Sequence, residues 1–316
     1  MLNFLAVLLF VLSFVLILKG GEFLVDSAIC ISDRAKIPPM IVGATVVSVA
    51  TTLPETCVSL LAVFKGNMIL ASGNAMGSMI CNFALILGIA FTALPSRVDR
   101  KGFWLKCIFL VINLVLLIIF ATNGSFSVSE GVVLLVLLGL FLIANILEAR
   151  KNTSPEMAKF FKPQEEKPMW EIILTFVVGA ISIAYGSHVL VTNSQIIGSL
   201  FKINQKVMAL TIVAIGTGLP EIVTTITSIK QKNAGIGVGN MIGANIMNGC
   251  MLMGLCSVLS KGKLSLGSTG IATFITLISV YLIAIVPTCL RGKSSRVQGI
   301  SLLLVYAGYV LYLFLA

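Results

Sequence analysis

Charge is what this sequence has least of. Asp, Glu, Lys and Arg make up only 11% of it, where a water-soluble domain carries about a quarter. That shortfall excludes an ordinary soluble enzyme or binding module. Histidine occurs once, at His188, so no imidazole cluster is available for zinc or copper. The seven cysteines include no CxxC pair. Scattered among apolar residues, they read as small packing side chains in reduced form, neither a disulfide frame nor a metal site. The N-terminus lacks the basic region and small-residue cleavage site of a signal peptide, so the first apolar stretch reads as a retained helix. No HExxH motif and no Ser–Lys arrangement points to an intramembrane protease, no enzyme activity is expected, and no cofactor site is apparent.

What is there is apolar: 58% of the residues are hydrophobic. Runs of roughly 20 apolar residues recur from end to end, each long enough to cross a bilayer about 30 Å thick. The chain reads as an all-α polytopic membrane protein with ten transmembrane helices, at 3–29, 38–64, 68–94, 103–121, 127–147, 169–196, 206–229, 235–259, 266–287 and 297–315. One sizeable polar stretch, 148–168, divides it into halves of five spans each, 1–147 and 169–316. The net charge of +10 sits in short loops and sets orientation, so nucleic acid is not the expected partner; the lipid bilayer is. Loops after the odd-numbered spans hold most of the Lys and Arg, among them Arg34, Arg97, Arg150, Lys230 and Arg291. By the positive-inside rule that side is cytoplasmic, 148–168 is a cytoplasmic linker, and both termini face away from the cytoplasm. Five spans is an odd number, so the second half enters from the opposite face, and the halves form inverted repeats of the kind found in secondary transporters.

The halves also resemble each other. Gly43–Gly88 aligns with Ala209–Gly254 without a gap, 166 positions apart. Thr51 matches Thr217, Leu53-Pro54-Glu55 matches Leu219-Pro220-Glu221, Gly73-Asn74 matches Gly239-Asn240, and Asn82 matches Asn248. Polar residues and helix breakers persist while apolar positions drift. Glu55 lies near the middle of its span, where an ionised carboxylate costs several kcal/mol or more unless paired or solvated. Pro54 lacks an N–H and frees the carbonyl of Ala50, and broken backbone at that depth survives only where it lines a cavity or is buried in protein. Hydroxyls at Thr51 and Thr52 stand beside it. Two such half-sites around a pseudo-two-fold axis put two carboxylates and several carbonyls about one point, a donor set suited to a hard divalent cation. Without a cation the two carboxylates would repel. In the second stretch of each repeat, Asn74, Ser78 and Asn82 share one helix face, as do Asn240, Ala244 and Asn248. The glycines at 73, 77, 239 and 243 form GxxxG patterns and read as packing residues.

At these residues the sequence resembles the sodium/calcium exchanger family of the cation/calcium antiporter superfamily. Its hallmark is a pair of inverted α-repeats, here about 38–94 and 206–259, each carrying G-[TS]-[SG]-x-P-[ED] and G-N-x-x-G-[SA]-x-x-x-N/D segments. The resemblance implies alternating access, with sodium running down its gradient and calcium leaving. It implies that Glu55, Glu221, Thr51 and Thr217 ligate calcium. Sodium would draw on the glutamates, Thr52, Ser78 and carbonyls near Ser48 and Ala214, with Asn82 and Asn248 at the centre. The chain departs from the pattern at Gly218 and Ala244, where the family tends to offer hydroxyls, and at Ala50, which replaces a glycine. Sodium coordination is thereby thinned in the second half, which keeps calcium/proton antiport open as the alternative. A cation channel is disfavoured by the internal repeat, since channels usually build filters from several subunits. Asn248, where potassium-carrying relatives have Asp, leans against potassium dependence. A monomer in the cell membrane, plasma or inner, is expected. Asp26 reads as a pairing charge, His188 as an interfacial polar residue, and Trp104 and Trp170 as interface anchors.

Overall fold

The computed structural model describes residues 2–98, 100–151, 168–200, 218–265 and 270–315. Hydrocarbon offers backbone groups no partners, so apolar runs of this length must close their hydrogen bonds within themselves, as helices. In chain order these are α1 (Leu2–Ala35), α2 (Pro39–Thr51), α3 (Leu53–Phe64), α4 (Met68–Ala93), α5 (Arg100–Ala121) and α6 (Val128–Lys151). There follow α7 (Met169–Leu200), α8 (Leu219–Lys230), α9 (Ala234–Leu259), α10 (Gly270–Arg291) and α11 (Arg296–Leu315). Among the described residues, eight helices are long and apolar enough to cross a bilayer, and nine if the bent pair α2–α3 counts as one span. The span expected at 206–229 falls partly on 206–217, outside the described residues; its remainder is α8. The linker expected at 148–168 also lies mostly outside them.

Local chemistry sets the helix ends. Asn67 caps α4 by accepting from the Leu70 N–H at 3.1 Å, and Ser127 with Glu130 forms a reciprocal capping box on α6. In α4 and α9, 78% of the most apolar window is buried, against 17–44% in the other unbroken spans. These two helices are therefore the centre of the bundle. Around them, α1, α5, α6, α7, α10 and α11 turn Val, Leu and Ile outward, the surface a lipid environment requires. The main core joins Met76, Phe83, Met241, Met247, Leu277 and Tyr281, with the Phe83 and Tyr281 rings 4.9 Å apart.

Element boundaries recur at one spacing. Leu53 and Phe64 bound α3, and Leu219 and Lys230, each 166 positions on, bound α8. Both α4 and α9 are interrupted by a π-helical turn, Cys81–Ile86 in one and Met247–Leu252 in the other, again 166 apart. Contacts recur with the halves exchanged. A Cβ on Gly20 would sit 2.8 Å from the Gly179 carbonyl, and one on Gly186 would sit 3.2 Å from the Ser13 carbonyl; Gly20 corresponds to Gly186 and Ser13 to Gly179. These glycines let α1 and α7 lie together along much of their length. The loops show the same exchange. A two-residue ribbon pairs β1 (Ser125–Phe126) with β2 (Leu264–Ser265), Phe126 opposite Leu264. Elsewhere the Val98 N–H donates to the Gly292 carbonyl at 3.0 Å, and Val98 and Gly292 are the counterparts of Leu264 and Phe126. Among the described residues, this ribbon and an isolated antiparallel bridge between Arg97 and Lys293 are the departures from an all-helical architecture.

Candidate functional site

A proline at the second position of α3 sets the local geometry. Pro54 cannot donate to the carbonyl of Ala50, and the chain bends by 45° between α2 and α3. The hinge residue Thr52 has φ −81° and ψ −3°, and its counterpart Gly218 has φ −86° and ψ 0°. Both breaks therefore use one conformation, open to any L-residue, and glycine at 218 is not a backbone requirement. Each break starts a new helix with a carboxylate in its first turn, Glu55 in α3 and Glu221 in α8. The unbonded N–H groups there carry partial positive charge, which favours an anion.

The two carboxylates are buried, with 1% and 0% of their residue surfaces exposed. Among the described residues, Oε2 of Glu55, both carboxylate oxygens of Glu221, the Thr52 hydroxyl and both amide atoms of Asn248 are buried without a hydrogen-bond partner. Unpaired buried carboxylates cost several kcal/mol each. Such carboxylates either take up protons or need a positive charge beside them.

Of the remaining expected residues, several lie on the neighbouring helices α2, α4 and α9. Thr51 is buried and donates across to Oδ1 of Asn240 at 3.2 Å. Asn240 donates in turn to the Thr224 hydroxyl at 3.0 Å. The Thr51 hydroxyl has a second acceptor within reach, the Ser48 carbonyl at 3.4 Å. Ser48 is buried, donates to the Thr45 carbonyl at 3.1 Å and packs on Gly243. Ser78 is half-buried on α4. Asn82 and Asn248 lie in the two π-turns, of which the first packs on α8 and the second on α3. Thr217 and Ala214 lie outside the described residues. Asn74 braces the first break, donating to the Glu55 carbonyl at 3.1 Å and to the Ser59 hydroxyl at 2.9 Å. Among the described residues no three His, Cys, Asp or Glu side chains gather as a metal cluster.

Sequence reasoning did not single out Thr224, Asn245 or Tyr281, and gave Asn240 only a place on a helix face. Asn240 was legible as one of the repeated polar positions. Asn245 has no polar counterpart, since Met79 occupies that place in the first half, so its one signal was an amide in an apolar span. Asp26 accepts from the Gln231 amide at 2.8 Å, Glu22 pairs with Lys19 at 2.7 Å in an exposed position, and His188 is exposed. Trp104 and Trp170 are exposed near the starts of α5 and α7, and no disulfide joins the seven cysteines.

A family profile described as sodium/calcium exchanger protein matches residues 5–147 and 171–315. The chain is 30% identical over 310 residues to the putative antiporter CaxA of Alkalimonas amylolytica, covering 95% of this chain and 96% of that one. To the inner membrane protein YrbG of Escherichia coli it is 30% identical over 315 residues, 98% and 96% of the two chains. To the sodium/calcium exchanger MaX1 of Methanosarcina acetivorans it is 26% identical over 346 aligned positions, covering 97% and 98%. Among solved structures, the sodium-calcium exchanger NCX_Mj, soaked with sodium and strontium, superposes with a TM-score of 0.83 at 26% identity, covering 98% of this chain and 99% of that one.

Proposed function

Because the chain belongs to the sodium/calcium exchanger family, we propose that it is a multi-pass antiporter exchanging calcium for sodium by alternating access. The observation that carries this reading is the pair of buried carboxylates, drawn from two distant half-helices, with oxygens that lack partners among the described residues. A hard cation supplies the missing charge, and 6–8 oxygen ligands suit calcium. The proposed calcium ligands are Glu55, Glu221, Thr51 and Thr217. Sodium uses the same glutamates with Thr52, Ser78 and carbonyls near Ser48 and Ala214, and Asn82 and Asn248 face both ions.

The ten-helix, inverted-repeat reading is supported by the shared element boundaries and by the contacts that recur with the halves exchanged. In that arrangement two enclosed glutamates cannot cross between states uncompensated. Ion binding neutralises them, and the close pair α1–α7 then slides against the central bundle to open the other side. The protein works as a monomer in the inner or plasma membrane, with both termini extracytoplasmic.

A second reading, calcium/proton antiport through the same carboxylates, is favoured by Gly218 and Ala244, which remove two hydroxyls from the second half. Calcium uptake into sodium-loaded proteoliposomes, repeated with a proton gradient and no sodium, separates the two. Uptake that requires internal sodium is expected; uptake driven by protons alone assigns the second reading. Conductance that neither saturates nor needs a counter-ion would make it a channel. Glu55→Gln should abolish uptake while the protein remains folded in detergent, and normal transport by that variant overturns the site.

A further inference from the structure

The two central asparagines are held differently. Asn82 donates its amide N–H to Oδ1 of Asn245 at 3.0 Å. Asn245 donates its own amide to the Met79 carbonyl at 2.9 Å and to the Tyr281 hydroxyl at 3.1 Å. All of this is buried: Asn245 is 0% and Asn82 1% exposed. A backbone carbonyl can only accept, so Met79 fixes which end of the Asn245 amide faces it. Oδ1 of Asn245 must then face Asn82, and it admits only the NH2 end of that side chain. The Asn82 amide is planar, so its Oδ1 is turned away from Asn245. Asn248 has no such chain. Both its amide atoms lack partners among the described residues, and the first-half counterpart of Asn245 is Met79, a thioether that cannot orient an amide.

We infer that Asn245 is a positioning residue that locks Asn82 as a fixed oxygen donor to the transported cation, while Asn248 is left free to turn. The inference rests on the site proposed above. An amide presents a cation with an attractive oxygen or a repulsive NH2, and the two differ by a rotation of about 180°. The lock selects the oxygen before the ion arrives, so no reorientation is required on binding. The amide of Asn248, with no partner among the described residues, has neither end fixed toward the cation. The two halves of the cage thus divide the work, one rigid and one adaptable.

The test uses the full-length protein in proteoliposomes and reads the calcium concentration for half-maximal uptake together with the maximal rate. Four forms are compared: native, Asn82→Ala, Asn245→Leu and the double variant. Asn245→Leu should raise the half-saturating calcium about tenfold, the worth of one ordinary hydrogen bond, with little change in maximal rate. On the Asn82→Ala background it should add nothing, because its effect passes through Asn82. Additive losses would reduce Asn245 to a packing residue, and an unchanged half-saturation for Asn245→Leu would likewise overturn the inference. If Asn82→Ala alone changes nothing, the assignment of Asn82 to the cation site fails first. Should Asn245→Leu not fold, Asn245→Gln, which keeps both amide groups but shifts them by a methylene, is read in the same way.

Discussion

At Gly218 a hydroxyl is missing where the backbone would accept one. Its dihedrals match those of Thr52 within a few degrees, so Gly218→Thr adds an oxygen without asking the chain to bend differently. If sodium is the coupling ion, that variant should lower the sodium concentration for half-maximal exchange several-fold and leave calcium half-saturation near its native value; sodium titration of exchange in proteoliposomes checks this. The opposite change, Thr52→Ala, should raise the sodium requirement, because the Thr52 hydroxyl is buried and unpartnered among the described residues. Much of the site was legible at this scale. A carboxylate behind a proline inside an apolar run is costly, and two copies at one spacing leave few readings besides a cation cage. The side chains that brace the cage were not legible. Asn245 and Tyr281 lie 36 positions apart, and nothing in sequence spacing tells that their polar ends meet inside the bundle. Thr51 and Asn240, 189 apart, were both visible as polar, but their contact exists only because α2 crosses α9.

That crossing is made by glycine. Gly239 and Gly243, one turn apart on α9, lie against the backbone of Met40 and Ala44 on α2, where an added Cβ would overlap their carbonyl oxygens. Backbone cannot rotate aside as a flexible side chain can. Gly243→Leu should therefore separate the two helices and abolish folded protein, read as a lost monodisperse peak in size-exclusion chromatography. Gly139→Ala on α6 should be tolerated, because a Cβ there meets nothing within 4 Å. The GxxxG spacing made this packing readable at 239 and 243, since small residues let helices approach; the same spacing misled at Gly73 and Gly77, where an added Cβ meets nothing within 4 Å. The π-turns in α2, α4 and α9 were unreadable. An extra residue in one helical turn leaves no compositional mark, yet two of the three carry Asn82 and Asn248. A tie between α1 and the segment after α8 is also testable. Asp26 on α1 accepts from Gln231, just beyond α8, and if α1 slides this bond must open. Gln231→Ala should then shift the resting population toward the state in which α1 has moved, read as altered labelling of single cysteines placed along α1.

For the whole molecule, the placement of the cationic loops predicts termini that face away from the cytoplasm. A periplasmic-active reporter fused at the C-terminus should be active and a cytoplasmic-active one silent; the reverse result would invert the assignment of sides. The loop contacts fit one bundle with two faces. The loops before α5 and α11 are bonded to each other, as are those before α6 and α10, and each pairing is the other with the halves exchanged. Such a molecule resembles a balance with two nearly matched arms. If one conformation opens by a given set of contacts, exchanging the halves writes out the contacts of its opposite. If the halves exchange roles between an outward- and an inward-facing state, whatever is the same in both cancels from the energy difference between those states. The tilt can arise only at unlike pairs, such as Thr52 with Gly218, Ser78 with Ala244, Met79 with Asn245, Glu22 with His188 and Asp26 with Thr192. On that reading the resting direction is written in the mismatches between the halves, and equalising the polar ones would bring the arms nearer level.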